Sequence, residues 1–136
     1  MEELKGKRIL VVEDNVTNMA VFATTLKRLG ALVIQDAWNS GTVDMLKKRL
    51  PIDLIILDLM LRRDASGYDL FDALQQDPEL KDIPVVAVSS LDPETEIPKA
   101  QERGMAGFIS KPININKFPQ QLAQVLAGEK VWVTSR

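Results

Sequence analysis

A chain of 136 residues with no cysteine and no histidine excludes disulfides, redox thiols, thiolate zinc sites and any histidine-based triad. A net charge of −2 and 46% apolar residues fit one globular domain with its own core and argue against a nucleic-acid surface. No apolar stretch nears the ~20 residues of a membrane helix, and the N-terminus is unlike a signal peptide, so the cytoplasm is the expected compartment.

Residues 8–12 read as a strand, an apolar run stopped by Glu13 and Asp14. Asn15 is a good N-cap, and Val16, Met19, Ala20, Ala23, Leu26 and Leu29 then recur at helical spacing until Gly30 ends the pattern. A second strand at 32–35 turns polar at its end, which suits a sheet edge. A second helix is expected to begin after Asn39 or Ser40 and to end before Pro51, because proline disfavours helical geometry in the residue before it. Residues 54–57 and 85–88 are continuous apolar runs, as in strands covered on both faces. Between them a third helix is expected over 66–76, with Leu70, Phe71 and Leu74 inward.

Asp92-Pro93 is a favourable start for a fourth helix, with an acceptor at the N-cap and proline at the first helical position. Pro98 then falls inside it, removes a hydrogen bond and costs about 3 kcal/mol. That helix is expected to be kinked, short or mobile. A fifth strand at 107–109 and a last helix over 114–126 follow, the helix turning Phe118, Leu122, Val125 and Leu126 inward. The tail at 129–136 carries Val131, Trp132 and Val133, which either pack back or meet a partner; both readings stay open.

Five β–α alternations predict an α/β fold: a doubly wound, five-stranded parallel sheet in the order 2-1-3-4-5 with helices on both faces. The expected domain covers residues 7–127, and the tail at 128–136 is too short for an output domain.

The strand ends carry the chemistry. Glu13 and Asp14 follow the first strand, Asp58 ends the third, Ser89 follows the fourth, and Lys111 lies just beyond the fifth. In a parallel sheet these groups emerge at one edge, where open α/β folds place their ligands. Carboxylates crowded together repel one another unless a cation intervenes. Any metal here should be a hard, oxygen-loving ion, with Mg²⁺ the natural choice. A carboxylate, Mg²⁺, a lysine and a hydroxyl around one point suit phosphoryl transfer. Asp58, alone at the end of the most buried strand, is the candidate nucleophile.

The stretches Ile9-Leu10-Val11-Val12-Glu13-Asp14-Asn15, Leu54-Ile55-Ile56-Leu57-Asp58, Val85-Val86-Ala87-Val88-Ser89-Ser90 and Gly107-Phe108-Ile109-Ser110-Lys111-Pro112 together resemble the blocks of response-regulator receiver domains. The resemblance covers about residues 7–127 and implies a flavodoxin-like fold of the stand-alone, chemotaxis-regulator type. It implies that Asp58 accepts a phosphoryl group from a phosphohistidine on a histidine kinase or histidine phosphotransfer protein, and that a downstream protein target reads the result. Asp14, Asp58 and the backbone carbonyl of Met60 would ligate Mg²⁺, with Glu13 acting through water. Lys111 would pair with Asp58 and then with the phosphoryl oxygens. Ser89 would bond a phosphoryl oxygen, and Phe108 would be the aromatic that turns inward as the face of the fourth helix, fifth strand and fifth helix is re-sorted. The Lys111–Pro112 bond is often cis in such proteins. A phosphorylation-dependent dimer is left open. With no histidine of its own, the chain must receive the phosphoryl group from outside.

The loop after Asp58 departs from the family pattern: Arg62 stands where proline is usual, and Gly67 comes one residue late. Arg62-Arg63 reads as solvated charge. Met60 and Leu91 flank the expected path of attacking water and, being apolar, would slow hydrolysis of the acyl phosphate. Two rival functions remain at this level. An aspartate-based phosphohydrolase usually needs a second acid two residues after the nucleophile, where this chain has Met60. A pseudo-receiver, a binding module with a dead pocket, sits poorly with the intact set Asp14, Asp58, Ser89 and Lys111.

Overall fold

The computed structural model of the chain describes residues 3–37, 41–61 and 66–134. Strands and helices alternate through β1 (Arg8–Val12), α1 (Val16–Arg28), β2 (Leu32–Asp36), α2 (Thr42–Lys48), β3 (Leu54–Asp58), α3 (Gly67–Gln75), β4 (Val85–Ser89), α4 (Pro93–Arg103), β5 (Gly107–Ser110) and α5 (Phe118–Leu126), and β6 (Val131–Val133) ends the series. The strands form one sheet in the order β2-β1-β3-β4-β5-β6, every pair parallel. The expected order of the first five strands is the observed one. The sixth is new: the tail packs back and extends the sheet beyond β5. No helix among the described residues is long and apolar enough to cross a membrane.

Alternation along the strands builds two cores. Leu10, Val12, Ile55, Leu57, Val85, Ala87 and Phe108 point to one face, under Leu46 of α2, Leu70, Phe71 and Leu74 of α3, and Ala100 of α4. Ile9, Val11, Leu54, Ile56, Val86, Val88 and Ile109 point to the other, under Phe22 and Leu26 of α1 and Phe118, Leu122 and Val125 of α5. The phenyl rings of Phe22 and Phe118 lie 5.7 Å apart and tie these two helices together. β3 and β4 are buried along their whole length, because a parallel sheet covered on both faces has no wet side. β2 is an edge strand, and Leu32 at its start is exposed.

The helix boundaries follow from local hydrogen bonds. Asn15 caps α1 by accepting from Asn18 N–H, and Gly30, at φ +85°, turns the chain out after it. Ser66 caps α3 in the same way through Tyr68 N–H. The expected cap of the second helix at Asn39 or Ser40 lies outside the described residues, as do Arg62 and Arg63.

One expectation needs correction and another is narrowed. The last helix begins at Phe118 rather than at 114, because the Asn114 carboxamide accepts from Asn116 N–H and Lys117 N–H and closes a separate turn first. α4 is not short: it runs unbroken for 11 residues through Pro98. Its ends are strongly held. Asp92 accepts from Glu94 N–H and from the Thr95 hydroxyl, Pro93 opens the first turn, and Gly104 closes the last at φ +85°. Pro98 is exposed, and so is Glu94, whose carbonyl the ring deprives of a partner; water can satisfy that carbonyl, which limits the penalty.

Candidate functional site

The carboxyl ends of β1, β3 and β5 bring their acids and ammonium together. Parity explains why. Glu13 continues the face of Ile9 and Val11, Asp58 that of Leu54 and Ile56, and Lys111 that of Ile109, so all three project on the α1–α5 side. Lys111 Nζ lies 3.2 Å from Glu13 Oε2 and 3.3 Å from Asp58 Oδ2, across 98 and 53 residues of chain respectively. Asp14 completes the group: Glu13, Asp14 and Asp58 each bring a carboxylate oxygen within 4.8 Å of the others.

The backbone aims these groups. Asp58 Oδ1 accepts from Met60 N–H at 2.9 Å, which fixes the carboxylate plane and leaves Oδ2 towards Lys111. Glu13 Oε1 accepts from Asn15 N–H at 3.1 Å. The Lys111–Pro112 bond is cis, and Lys111 N–H donates to the Ser89 carbonyl at 2.8 Å, so the lysine's loop is pinned to the end of β4.

Burial raises the cost of charge here. Glu13 and Asp58 are both buried, and Lys111 is half-buried. The Glu13 carboxyl is held above its ordinary value of 4.5, first by burial and then by the hydrogen bond and charge of Asp58, against the lowering pull of Asn15 N–H and Lys111. The site thus holds three clustered carboxylates around one ammonium contact. Hard oxygen donors at this spacing, with one already resisting ionisation, fit a divalent cation of the Mg²⁺ class.

Ser89 is fully buried, and its Oγ accepts from Leu91 N–H at 3.0 Å, closing the turn that leads to α4. Strand alternation puts Ser89 on the face of Val85 and Ala87, the side on which Phe108 is fully buried. Met60 sits at the mouth, its side chain more than half exposed, in a short antiparallel bridge with Ser66.

Two supporting contacts went unassigned in the sequence, where Gly67 stood only as a displaced family glycine. Gly67 approaches the backbone behind the carboxylate so closely that a Cβ there would lie 2.5 Å from the Asp58 carbonyl oxygen and 2.9 Å from Leu59 Cα. Its N–H also donates to the Leu59 carbonyl at 3.1 Å. Across the sheet's other face, Tyr68 donates to buried Glu96 at 3.0 Å and carries the Arg103 guanidinium 4.3 Å above its ring, which ties α3 to α4. A buried acid in a helix is visible in a sequence only through a partner, and here the partner is 28 residues away.

Residues 9–123 match the family model described as the response regulator receiver domain. The polar-differentiation response regulator DivK of Brucella ovis is 30% identical over 120 residues, 88% of this chain and 96% of the relative. Among solved structures, a putative response regulator from Chloroflexus aurantiacus superposes with a TM-score of 0.80 at 25% identity, over 90% of this chain and 99% of the other. The chemotaxis response regulator CheY4 of Vibrio cholerae superposes with a TM-score of 0.74 at 22% identity, over 89% and 99% respectively, and speaks to the fold alone.

Proposed function

Because the chain belongs to the family of response regulator receiver domains, we propose that it is a phospho-accepting switch whose acceptor is Asp58. The observation that carries this reading is the convergence of Glu13, Asp14, Asp58 and Lys111 at one end of the sheet. An Asp58 carboxylate oxygen attacks the phosphorus of a partner's phosphohistidine. The new O–P bond forms as the N–P bond breaks, and the imidazole nitrogen leaves with the electron pair and takes up a proton. Met60 N–H holds one Asp58 oxygen, so the other is presented for attack.

Asp14, Asp58 and the Met60 carbonyl would hold Mg²⁺, with Glu13 acting through water, and the ion would neutralise charge on the transferring group. Lys111, already within 3.3 Å of Asp58, passes to the phosphoryl oxygens, and the Ser89 hydroxyl turns from Leu91 N–H to donate to another. The loop after β4 moves with Ser89, and the packing of Phe108 and the α4–β5–α5 face shifts between two populations. Phosphorylation acts here as added charge and added acceptor oxygens inside a bistable pack. The downstream partner, a protein, reads that face in the cytoplasm.

The donor's approach has support at the rim. A groove of about 390 Å³ runs between Asn18, Val21 and Phe22 of α1 and Lys111, Pro112 and Ile115 beyond β5. Val21 and Ile115 are exposed apolar side chains along it, a surface suited to the apolar flank of a histidine-bearing helix. Incubation with acetyl phosphate and Mg²⁺, followed by mass spectrometry of the intact protein, tests the reading. The expected result is one added phosphate in the wild type and none in Asp58→Asn. Equal labelling of both, or of neither, contradicts it.

A further inference from the structure

The proposed chemistry has no use for a sixth strand, yet the chain builds one on the face assigned to output. β6 joins the outer edge of β5 through Gly107–Val131, Phe108–Trp132 and Ile109–Val133, with Val131 N–H donating to the Ala106 carbonyl at 3.1 Å. It is anchored on both faces of the sheet. Val131 joins the buried cluster of Ile109 and Phe118 on the α1–α5 side, with Val133 packed against it, and Trp132 packs against the cluster of Phe108 and Ala100 on the α4 side.

The edge of β5 is shaped for this strand. A Cβ on Gly107 would lie 2.6 Å from the Val131 carbonyl oxygen, and its other near atoms also belong to Val131. Only glycine lets β6 approach so closely. Neighbouring strands lie about 4.8 Å apart, so paired side chains on one face are in contact. Trp132 therefore stands beside the fully buried Phe108 on the same face of the sheet.

We propose that β6 is an intramolecular strap: Trp132 holds Phe108 inward and the strand closes the β5 edge, so that the strap supports the phosphorylated arrangement of the α4–β5–α5 face. This inference rests on the receiver reading, which assigns the switch to Phe108 and the α4–β5–α5 face. The strap is short. It is three residues long, and it is reached through Gly128, at φ +94°, and the exposed Glu129 and Lys130. Strands so short are marginal alone and depend on their side-chain anchors.

Coupling between strap and pocket is reciprocal. A phosphoryl analogue that favours the inward ring binds better when Trp132 supports that ring, and its binding in turn protects β6. The test titrates the full-length chain with beryllofluoride in Mg²⁺ by calorimetry and follows amide exchange at Val131 and Val133. Trp132→Ala should weaken beryllofluoride binding about fivefold or more, the lower range of such couplings, and Trp132→Phe should restore most of it. Gly107→Ala displaces β6 without substituting any anchor residue, so it should give the same weakening together with faster exchange at Val131. Wild-type affinity in Trp132→Ala and Gly107→Ala overturns the strap while leaving the receiver reading intact. Failure of the wild type to bind beryllofluoride overturns the receiver reading, and the strap with it.

Discussion

Gly67 offers a stringent test of how the acceptor is positioned. In Gly67→Ala the new methyl group would sit 2.5 Å from the Asp58 carbonyl oxygen, 2.9 Å from Leu59 Cα and 3.2 Å from the Asp58 carbonyl carbon, where ordinary contact begins at 3.4 Å. All three atoms are backbone at the buried end of β3, so none can rotate aside. Overpacking of this kind costs about 1–3 kcal/mol, against about 0.4–1 kcal/mol gained by restricting the unfolded chain. Taking the upper part of the first range, the net cost is about 2 kcal/mol. For a domain of this size that lowers Tm by roughly 6–10 °C. The displaced backbone carries Met60 N–H and the Asp58 carboxylate with it, so acetyl phosphate labelling should slow by more than the loss of folded protein explains. Urea unfolding and labelling of the same preparation give both quantities. A variant as stable as the wild type, or more stable, would refute the steric account, because only the chain-entropy gain would then remain.

The charge cluster yields two further expectations. Lys111→Met leaves buried Glu13 and Asp58 facing each other; breaking a fully buried pair costs about 3–5 kcal/mol, and because Lys111 is only half-buried the expected loss is about 2 kcal/mol in Mg²⁺-free buffer, largely recovered on adding Mg²⁺, as urea unfolding with and without the ion would report. Glu13 has a folded-state pKa above its unfolded value, so the folded chain holds that proton more tightly and stability falls as pH rises from about 4.5 through the folded value. Glu13→Gln should remove this part of the slope and raise Tm at neutral pH without Mg²⁺; a steeper pH dependence in the variant would contradict the assignment.

Periodicity and strand-end chemistry carried most of the fold and the site into plain view. Branched runs buried on both faces are unambiguous in β3 and β4 because nothing polar interrupts them. Asp58, which stops the β3 run, meets Glu13, Asp14 and Lys111 at the carboxyl edge. What stayed hidden was set by tertiary contact. Pro98 looked disruptive because local rules assign it a lost hydrogen bond, whereas Ala100 and the Tyr68–Glu96 contact hold α4 from the core side. β6 was undecidable because three apolar residues in a tail have no period of their own. Its place depends on Gly107 leaving room for a backbone beside β5. The turn at Asn114 competed locally with the helix and won the first residues.

Reductive trapping reaches the central claim most directly. An acyl phosphate is reduced by borohydride to the alcohol, so treatment of the phosphodonor- and Mg²⁺-incubated protein should convert Asp58, and no other residue, to homoserine, as read by peptide mapping. Conversion at Glu13 or Asp14, or no conversion where the intact protein carries added phosphate, would contradict the account.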